Sequence, residues 1–408
     1  MTLAARQRGG LSQVSVPGGR SILLIGPFPL PVHGFSQATM EIGNLFEAAG
    51  YSVARIDLKP VGGPKGPLSS LWVRLRQIAE AIARVRRGAD FYLALSGGRR
   101  QIVDTLFLLI GRIGGAKLYI HHHSFAYLSR KSRLADLCFR IGGSSATHLV
   151  LCATMEATLT RRYGVVRRTE VLSNAALMGD GSPFRQRMEV RTLGFLGALT
   201  VDKGILEFLQ VAAQLAPAYP ELQFRIAGPC KDEEIRGRVN IASEKYSNLE
   251  YVGPVYGDAK NEFLESLDVL LFPSTYRNEA EPFVVWEAQS SGIPVIASQR
   301  GCMEEMLRLE SHQAAVVPHG QSFVDTAIKT IRSWLTDSKV YARRSNDVHR
   351  GFRTASIAAR RHFDQVFGPQ SEALSVSADN RFRPPNLIQI ESCAVEPSMP
   401  RPPGWREC

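Results

Sequence analysis

The stretch Asp268-Val269-Leu270-Leu271-Phe272-Pro273-Ser274, followed by the residues from Glu279 to Glu287 and then by Ser291-Gly292-Ile293-Pro294-Val295-Ile296-Ala297, reads as strand, helix and strand. Parallel strands need a crossover, usually a helix, so short apolar runs separated by a helix-length stretch are the rhythm of a parallel sheet. Working outward, strands are predicted at 192–196, 222–227, 250–252, 269–272, 294–297 and 315–317, with helices of ordinary length between them. The rhythm recurs upstream with a strand at 22–26, a helix at 35–49, a strand at 51–57, a basic helix at 71–87, and strands at 91–96, 117–123 and 148–153. The fold class predicted is α/β, with two Rossmann-like, doubly wound domains facing a cleft.

Between the halves the turn formers Gly179, Asp180, Gly181, Ser182 and Pro183 cluster and periodicity lapses, so 179–190 reads as a linker between domains at 20–178 and 191–345. Residues 346–368 predict a C-terminal helix that crosses back to the N-terminal domain. Pro, Ser, Asn and Arg dominate 369–408 without apolar periodicity, and 1–19 is similarly loose, so both ends are expected to be flexible.

A chain of 408 residues has room for two cores, and 44% hydrophobic with 21% charged residues excludes disorder over most of its length. Cys138, Cys152, Cys230, Cys302, Cys393 and Cys408 are scattered, with no CxxC pair, which fits a reduced compartment and no zinc finger. The N-terminus lacks the apolar core of a secretory signal, and the longest apolar stretch, 102–113, is broken by Asp104 and Arg112. That stretch falls short of the ~20 residues that span a bilayer. A cytoplasmic protein is expected. The formal charge of +11 calls for an anionic partner, whether membrane surface or phosphorylated substrate. Nucleic acid is not expected, because no zinc-finger spacing, RNP-like motif or long basic run accompanies the charge.

Phe195-Leu196-Gly197-Ala198-Leu199-Thr200-Val201-Asp202-Lys203-Gly204-Ile205 reads as a strand, a glycine loop and a helix start with a lysine at the entrance. Amides at a helix start and an ammonium favour a phosphate, though a simple turn with a solvated lysine fits the same residues.

With the opening stretch, the chain from Ile22 to Phe367 resembles the family 4 glycosyltransferases, whose GT-B fold sets two Rossmann-like domains around a cleft. The most specific part is Glu279 and Glu287, seven residues between them, framed by Phe272-Pro273-Ser274 and Gly292-Ile293-Pro294-Val295. The resemblance implies a retaining transferase that moves a sugar from a nucleotide diphosphate donor on the C-terminal domain to a glycan, lipid-linked or small-molecule acceptor on the N-terminal one. Glu279 would contact the donor sugar and Glu287 the ribose, tasks that suit a carboxylate because it accepts two hydrogen bonds at once. Backbone amides of Phe283 and Val284 would face the diphosphate. Pro282 has no amide to offer. A helix-end decoration by Glu279 and Glu281, with Glu287 paired to a cation, is the bland alternative.

Further correspondences follow. In the resemblance Gly34 matches the loop that closes over the donor, with a proline-stiffened surface turn as the other reading; Val255 and Tyr256 fall at the nucleotide base, with a core aromatic as the other reading of Tyr256; and Asn174 stands at the hinge. The resemblance implies a histidine at the cleft, read as His123 because Ser124 follows it, with His121 second on the same strand face; a metal cluster is their rival reading. Departures from the family are Ala280-Glu281-Pro282 after the first glutamate and Ala198 where an arginine is usual, which leaves Lys203 to neutralise the phosphate alone or with a distant arginine. No DxD pair occurs, so no cofactor and no divalent metal are expected. The alternatives are a nucleotide-sugar epimerase and a non-catalytic nucleotide-sugar-binding protein. The helix at 71–87 carries Leu71, Trp72, Val73, Leu75, Ile78, Ile82 and Val85 beside Arg74, Arg76, Arg84, Arg86 and Arg87. It predicts either peripheral attachment to an anionic membrane or an ordinary helix packed on its sheet.

Overall fold

Ser21-Ile22-Leu23-Leu24-Ile25-Gly26 is an apolar run that a strand covered on both faces can bury, and from Ile22 onward every residue is buried. In the computed structural model the described residues are 20–368 without 30–32, 59–66, 87, 180–183 and 309–315. The expectations for 1–19, 369–408, Arg87, Ala315 and most of the turn cluster at 179–183 lie outside them.

The N-terminal half runs β1 (Ser21–Gly26), α1 (Gly34–Ala48), β2 (Ser52–Asp57), α2 (Pro67–Val85), β3 (Asp90–Leu95), α3 (Gln101–Ile113), β4 (Leu118–His122), α4 (Ala126–Ser129), α5 (Arg133–Gly142), β5 (Thr147–Val150), α6 (Ala153–Arg162) and β6 (Arg168–Val171). The C-terminal half runs β7 (Thr192–Leu196), α7 (Ile205–Leu215), β8 (Gln223–Ala227), α8 (Glu233–Lys245), β9 (Leu249–Tyr251), α9 (Asp258–Glu265) and β10 (Val269–Phe272). It ends with α10 (Phe283–Ser290), β11 (Val295–Ser298), α11 (Met303–Met306), β12 (Val316–Val317), α12 (Phe323–Thr336) and α13 (Ser338–Phe367). Two six-stranded sheets result, ordered β2-β1-β3-β4-β5-β6 and β12-β11-β10-β7-β8-β9, with parallel pairing throughout the described residues. Strand order reverses between β1 and β3 in one sheet and between β7 and β10 in the other. Crevices at the carboxyl ends of strands flanking such a reversal are where open α/β sheets bind ligands.

Helix α13 ties the halves together. It begins at Ser338, earlier than the predicted 346, under an Asp337 cap. Its last turn sets Phe363 and Phe367 against Phe46, with ring centroids 5.3 and 4.8 Å away, and Phe367 against Tyr119 at 4.8 Å. The carbonyl of Phe367, left without a helical partner, accepts from Tyr51 Oη at 2.9 Å and from the Arg20 guanidinium at 3.1 Å. Each buried phenylalanine contributes about 1.5–3 kcal/mol relative to an exposed one.

Three findings correct the sequence reading. Strand β6 is not predicted, because Arg168-Thr169-Glu170 carries no apolar run and its residues are only partly buried or exposed. Within the predicted linker, Arg187 is buried and donates to the carbonyls of Leu267 at 2.7 Å, Glu265 at 3.2 Å and Ser291, so this part of the segment is fastened to the C-terminal half. Cys152 and Cys302, 150 residues apart, form a disulfide between the halves, against the expectation of a reduced set of scattered cysteines. Spacing along the chain could not reveal that the end of β5 meets the start of α11. Beside the bridge the Glu305 carboxylate accepts from the amides of Ala153 and Thr154 at 2.9 and 2.8 Å, capping α6 from the other half. Among the described residues no helix is long and apolar enough to cross a membrane.

Candidate active site

The carboxyl ends of both sheets open onto one cavity of about 1160 Å³. Loops after β1, β3 and β4 supply Gly34, Ser96, Arg100 and His123 from one half; the other supplies Gly197, Ala198, Lys203, Val255, Tyr256, Glu279, Phe283 and Val284. All but two of the predicted site residues therefore line this cavity. The exceptions are Glu287 and His121.

Lys203 ends a short 3-10 turn and is followed by Gly204, whose φ of +84° starts α7. A Cβ on Gly204 would lie 2.5 Å from the carbonyl oxygen of Pro273, so the glycine lets this turn press against the end of β10. The approach brings Lys203 Nζ to 2.5 Å from Glu279 Oε2, which also accepts from Ser274 Oγ at 2.9 Å. The same ammonium sits 4.5 Å over the Tyr276 ring. The lysine and glutamate read separately from the sequence are thus one ion pair.

Helix α10 starts at Phe283 behind Pro282, and neither α10 nor α7 has a side-chain cap. First-turn amides of a helix have no intrahelical acceptor and suit an anion. Glu287, one turn further in, lies behind the wall; its Oε1 accepts from Lys260 Nζ at 2.6 Å and its Oε2 is buried without a partner among the described residues. Lys260 does line the cavity. The cation pairing anticipated as the bland alternative for Glu287 is present. Tyr256, at 56% exposure, stands on the cavity rim and not in a core.

Strand alternation sorts the histidines as predicted, but only His123 reaches the cavity. His121 is fully buried, with Nδ1 2.7 Å from Tyr92 Oη and its ring 4.1 Å from that of His123, which corrects its reading as a second cleft histidine. His122 turns the other way onto His148 Nδ1 at 2.9 Å and Tyr127 Oη at 2.9 Å. Burial pushes His123 down to about 3, leaving a neutral imidazole whose Nε2 has no partner among the described residues. The metal-cluster reading has no support there: no group of three potential ligands occurs among the described residues.

Glu281, a departure from the family pattern in the sequence, bonds the two halves to each other. It accepts from Ser173 Oγ and the Asn174 amide, both at 2.6 Å, while Asn174 Nδ2 donates to its carbonyl at 2.8 Å. Burial pushes its carboxyl up to about 7. Sequence reasoning also missed Ser274, Tyr276, Lys260, Arg100, Arg130 and Lys131. The run Ser129-Arg130-Lys131-Ser132-Arg133 was a visible basic signal, but nothing in it pointed to the cleft.

Residues 183–349 match the family model of glycosyl transferases group 1. The C-terminal half thus carries a glycosyl transferases group 1 domain, and it holds Lys203, Glu279 and Glu287. An uncharacterised glycosyltransferase from Methanocaldococcus jannaschii is 25% identical over 170 residues, 40% of this chain and 42% of that protein. The chain matches about two fifths of the length of such curated relatives. The sucrose-phosphate synthase from Thermosynechococcus elongatus superposes with a TM-score of 0.61 at 17% identity, over 85% of this chain and 98% of its own. Anabaena HepE in complex with UDP gives 0.62 at 14%, over 85% and 99%. Together with the paired sheets, these similarities make the fold GT-B.

Proposed function

We propose that this chain is a retaining, metal-independent glycosyltransferase that takes a sugar from a nucleotide diphosphate donor and passes it to a glycan or lipid-linked acceptor. The observation that carries the reading is the Lys203–Glu279 pair, held at the β7–β10 reversal of the group 1 domain beside the uncapped start of α10. The HepE structures with UDP and with UDP and glucose support a nucleoside diphosphate donor.

In this reading the diphosphate lies between the Gly197 loop and the amides of Phe283 and Val284. Gly34 faces it from the opposite wall, and Val255 and Tyr256 bracket the base. Glu279 accepts from donor-sugar hydroxyls, and the spare Oε2 of Glu287 takes a ribose hydroxyl once local movement opens a path. Neutral His123 hydrogen-bonds the sugar without adding charge. The anomeric carbon–oxygen bond to the diphosphate breaks as the acceptor oxygen bonds to the same face, and the acceptor proton passes to the departing phosphate oxygen. Lys203 and the α10 amides stabilise the charge that develops there, a fixed arrangement that needs no divalent ion.

Peripheral attachment to a membrane fits the outer face of the N-terminal half. The two readings of α2 divide by position: Ala81 and Val85 are buried, whereas Trp72, Val73 and Leu75 are exposed. Ile102, Leu106, Leu109 and Ile113 form an exposed stripe on neighbouring α3. Of the arginines, Arg84 pairs with Glu80 at 3.7 Å, while Arg76 and Arg86 are exposed. Incubation with nucleotide sugars alone tests the enzymatic reading. Slow release of nucleoside diphosphate is the expected result, and recovery of an epimerised nucleotide sugar would replace transfer with epimerisation.

A further inference from the structure

Both walls of the cleft carry cations, Lys203, Lys260 and Arg277 on the C-terminal one, but they differ in their acids. The cleft's carboxylates among the described residues, Glu279 and Glu281, both come from the C-terminal half, and both are engaged, one by Lys203 and Ser274, the other by Ser173 and Asn174. The N-terminal half contributes no aspartate or glutamate to the lining, yet it contributes Arg100, Arg130 and Lys131. None of these three belongs to an ion pair among the described residues.

Their loops are held in place. Ser132 donates its amide to Tyr163 Oη at 3.0 Å, and Tyr163 Oη donates to the Tyr127 carbonyl at 2.7 Å, fixing the segment that carries Arg130 and Lys131. Ser132 Oγ reaches Gln101 Oε1 at 3.4 Å, which ties that segment to the one carrying Arg100. The carboxyl nearest in sequence, Asp104, is fully buried and turned to Ser96, accepting from its amide at 2.8 Å and from its hydroxyl at 3.3 Å. Burial pushes Asp104 up to about 7, so it leaves much of the charge of Arg100 uncompensated.

We infer that the acceptor carries a phosphate monoester or diphosphate, bound by Arg100, Arg130 and Lys131 across the cleft from the donor. Neutral sugars are gripped through carboxylates and amides that accept from hydroxyls, whereas this wall offers permanent donors without acceptor carboxylates. A guanidinium fork and an ammonium match phosphate oxygens in both charge and geometry. Lys131 Nζ lies 5.9 Å over the Tyr163 ring, a contact that steadies the ammonium without neutralising it. The inference rests on the reading of the cleft as a glycosyl-transfer site. The phosphate could belong to a free sugar phosphate or to the diphosphate that joins a glycan to a lipid.

Titration calorimetry at low salt, on the full chain saturated with UDP, distinguishes these sources. Its probes are glucose 6-phosphate against glucose, and detergent-solubilised geranylgeranyl diphosphate against geranylgeraniol. At least one phosphorylated probe should bind tenfold or more tightly than its neutral twin, and the one that does identifies the source. The triple variant Arg100→Gln, Arg130→Gln, Lys131→Gln should lose at least tenfold of that affinity while keeping its UDP affinity within twofold and its melting temperature. Lys203→Ala should weaken UDP and spare the probe. Neutral twins binding equally well, a triple variant that binds like the parent, or a probe lost with Lys203→Ala would each overturn the inference. Probe binding that depends on the three cations without any UDP binding would instead strike the donor reading and leave a bare anion site.

Discussion

Lys203 and Glu279 share one hydrogen bond at 2.5 Å, and Ser274 holds the same carboxylate oxygen from the other side. This arrangement fixes both charged groups before any ligand arrives, which is how electrostatic stabilisation is made ready in advance. Lys203→Ala and Glu279→Gln should each lower turnover by about 10²-fold, the usual effect of removing one such donor or its positioning partner. Their melting temperatures should stay close to that of the parent; a variant that transfers sugar at the parental rate has no part in the chemistry. Glu287→Ala should weaken nucleotide binding by about tenfold, the loss of a hydrogen bond to a charged group. Unchanged nucleotide affinity in a calorimetric titration would return Glu287 to a structural pairing with Lys260. The positions of the two acids on one loop-and-helix segment could be read because a strand end and a glycine–proline turn frame them, although only Glu279 lines the cavity. Their partners were not, because Lys203 stands 76 residues from Glu279 and Lys260 stands 27 from Glu287, with no motif around Lys260 to mark it.

All strands but one could be read from apolar runs, since a strand buried on both faces has few other ways to be written; the exception is the edge strand β6, whose Arg168-Thr169-Glu170 offers no such run. The helix α2 shows where that reading stops. Periodicity identifies an apolar stripe but does not say which turns meet the sheet, and the structure buries one end of the stripe while exposing the other. Each arginine near an anionic bilayer contributes about 1 kcal/mol. Changing exposed Arg76 and Arg86 to glutamine should therefore reduce cosedimentation with anionic vesicles by roughly tenfold or more. Parental binding should also fall as salt rises. If the parent fails to pellet with such vesicles at low salt, the exposed faces of α2 and α3 do not meet a membrane.

At the scale of the molecule, the two sheets are joined by α13, by the Cys152–Cys302 bridge and by Glu281 against Ser173 and Asn174. Of these, the sequence showed only the C-terminal helix and the asparagine, because pairings made by folding two distant loops together leave no local pattern. Glu281 gives the junction a pH dependence. Its folded value near 7 lies above the ordinary 4.5, so its stabilising contribution is fully present below about pH 4.5 and is lost as pH rises through 7. The full effect is on the order of 3 kcal/mol. The melting temperature of Glu281→Gln minus that of the parent should therefore become more positive between pH 5 and pH 8, whatever its starting offset. A difference that stays flat over this window would mean that Glu281 is ionised throughout. The central claim is tested most directly by incubating the chain, in the presence of EDTA, with a panel of nucleotide diphosphate sugars and phosphorylated acceptors. Product stereochemistry is then read by proton NMR. The account predicts a new glycosidic bond of the donor's own anomeric configuration, formed at an undiminished rate without metal and about 10²-fold more slowly by Lys203→Ala. An inverted product, or transfer that requires added magnesium or manganese, would contradict it.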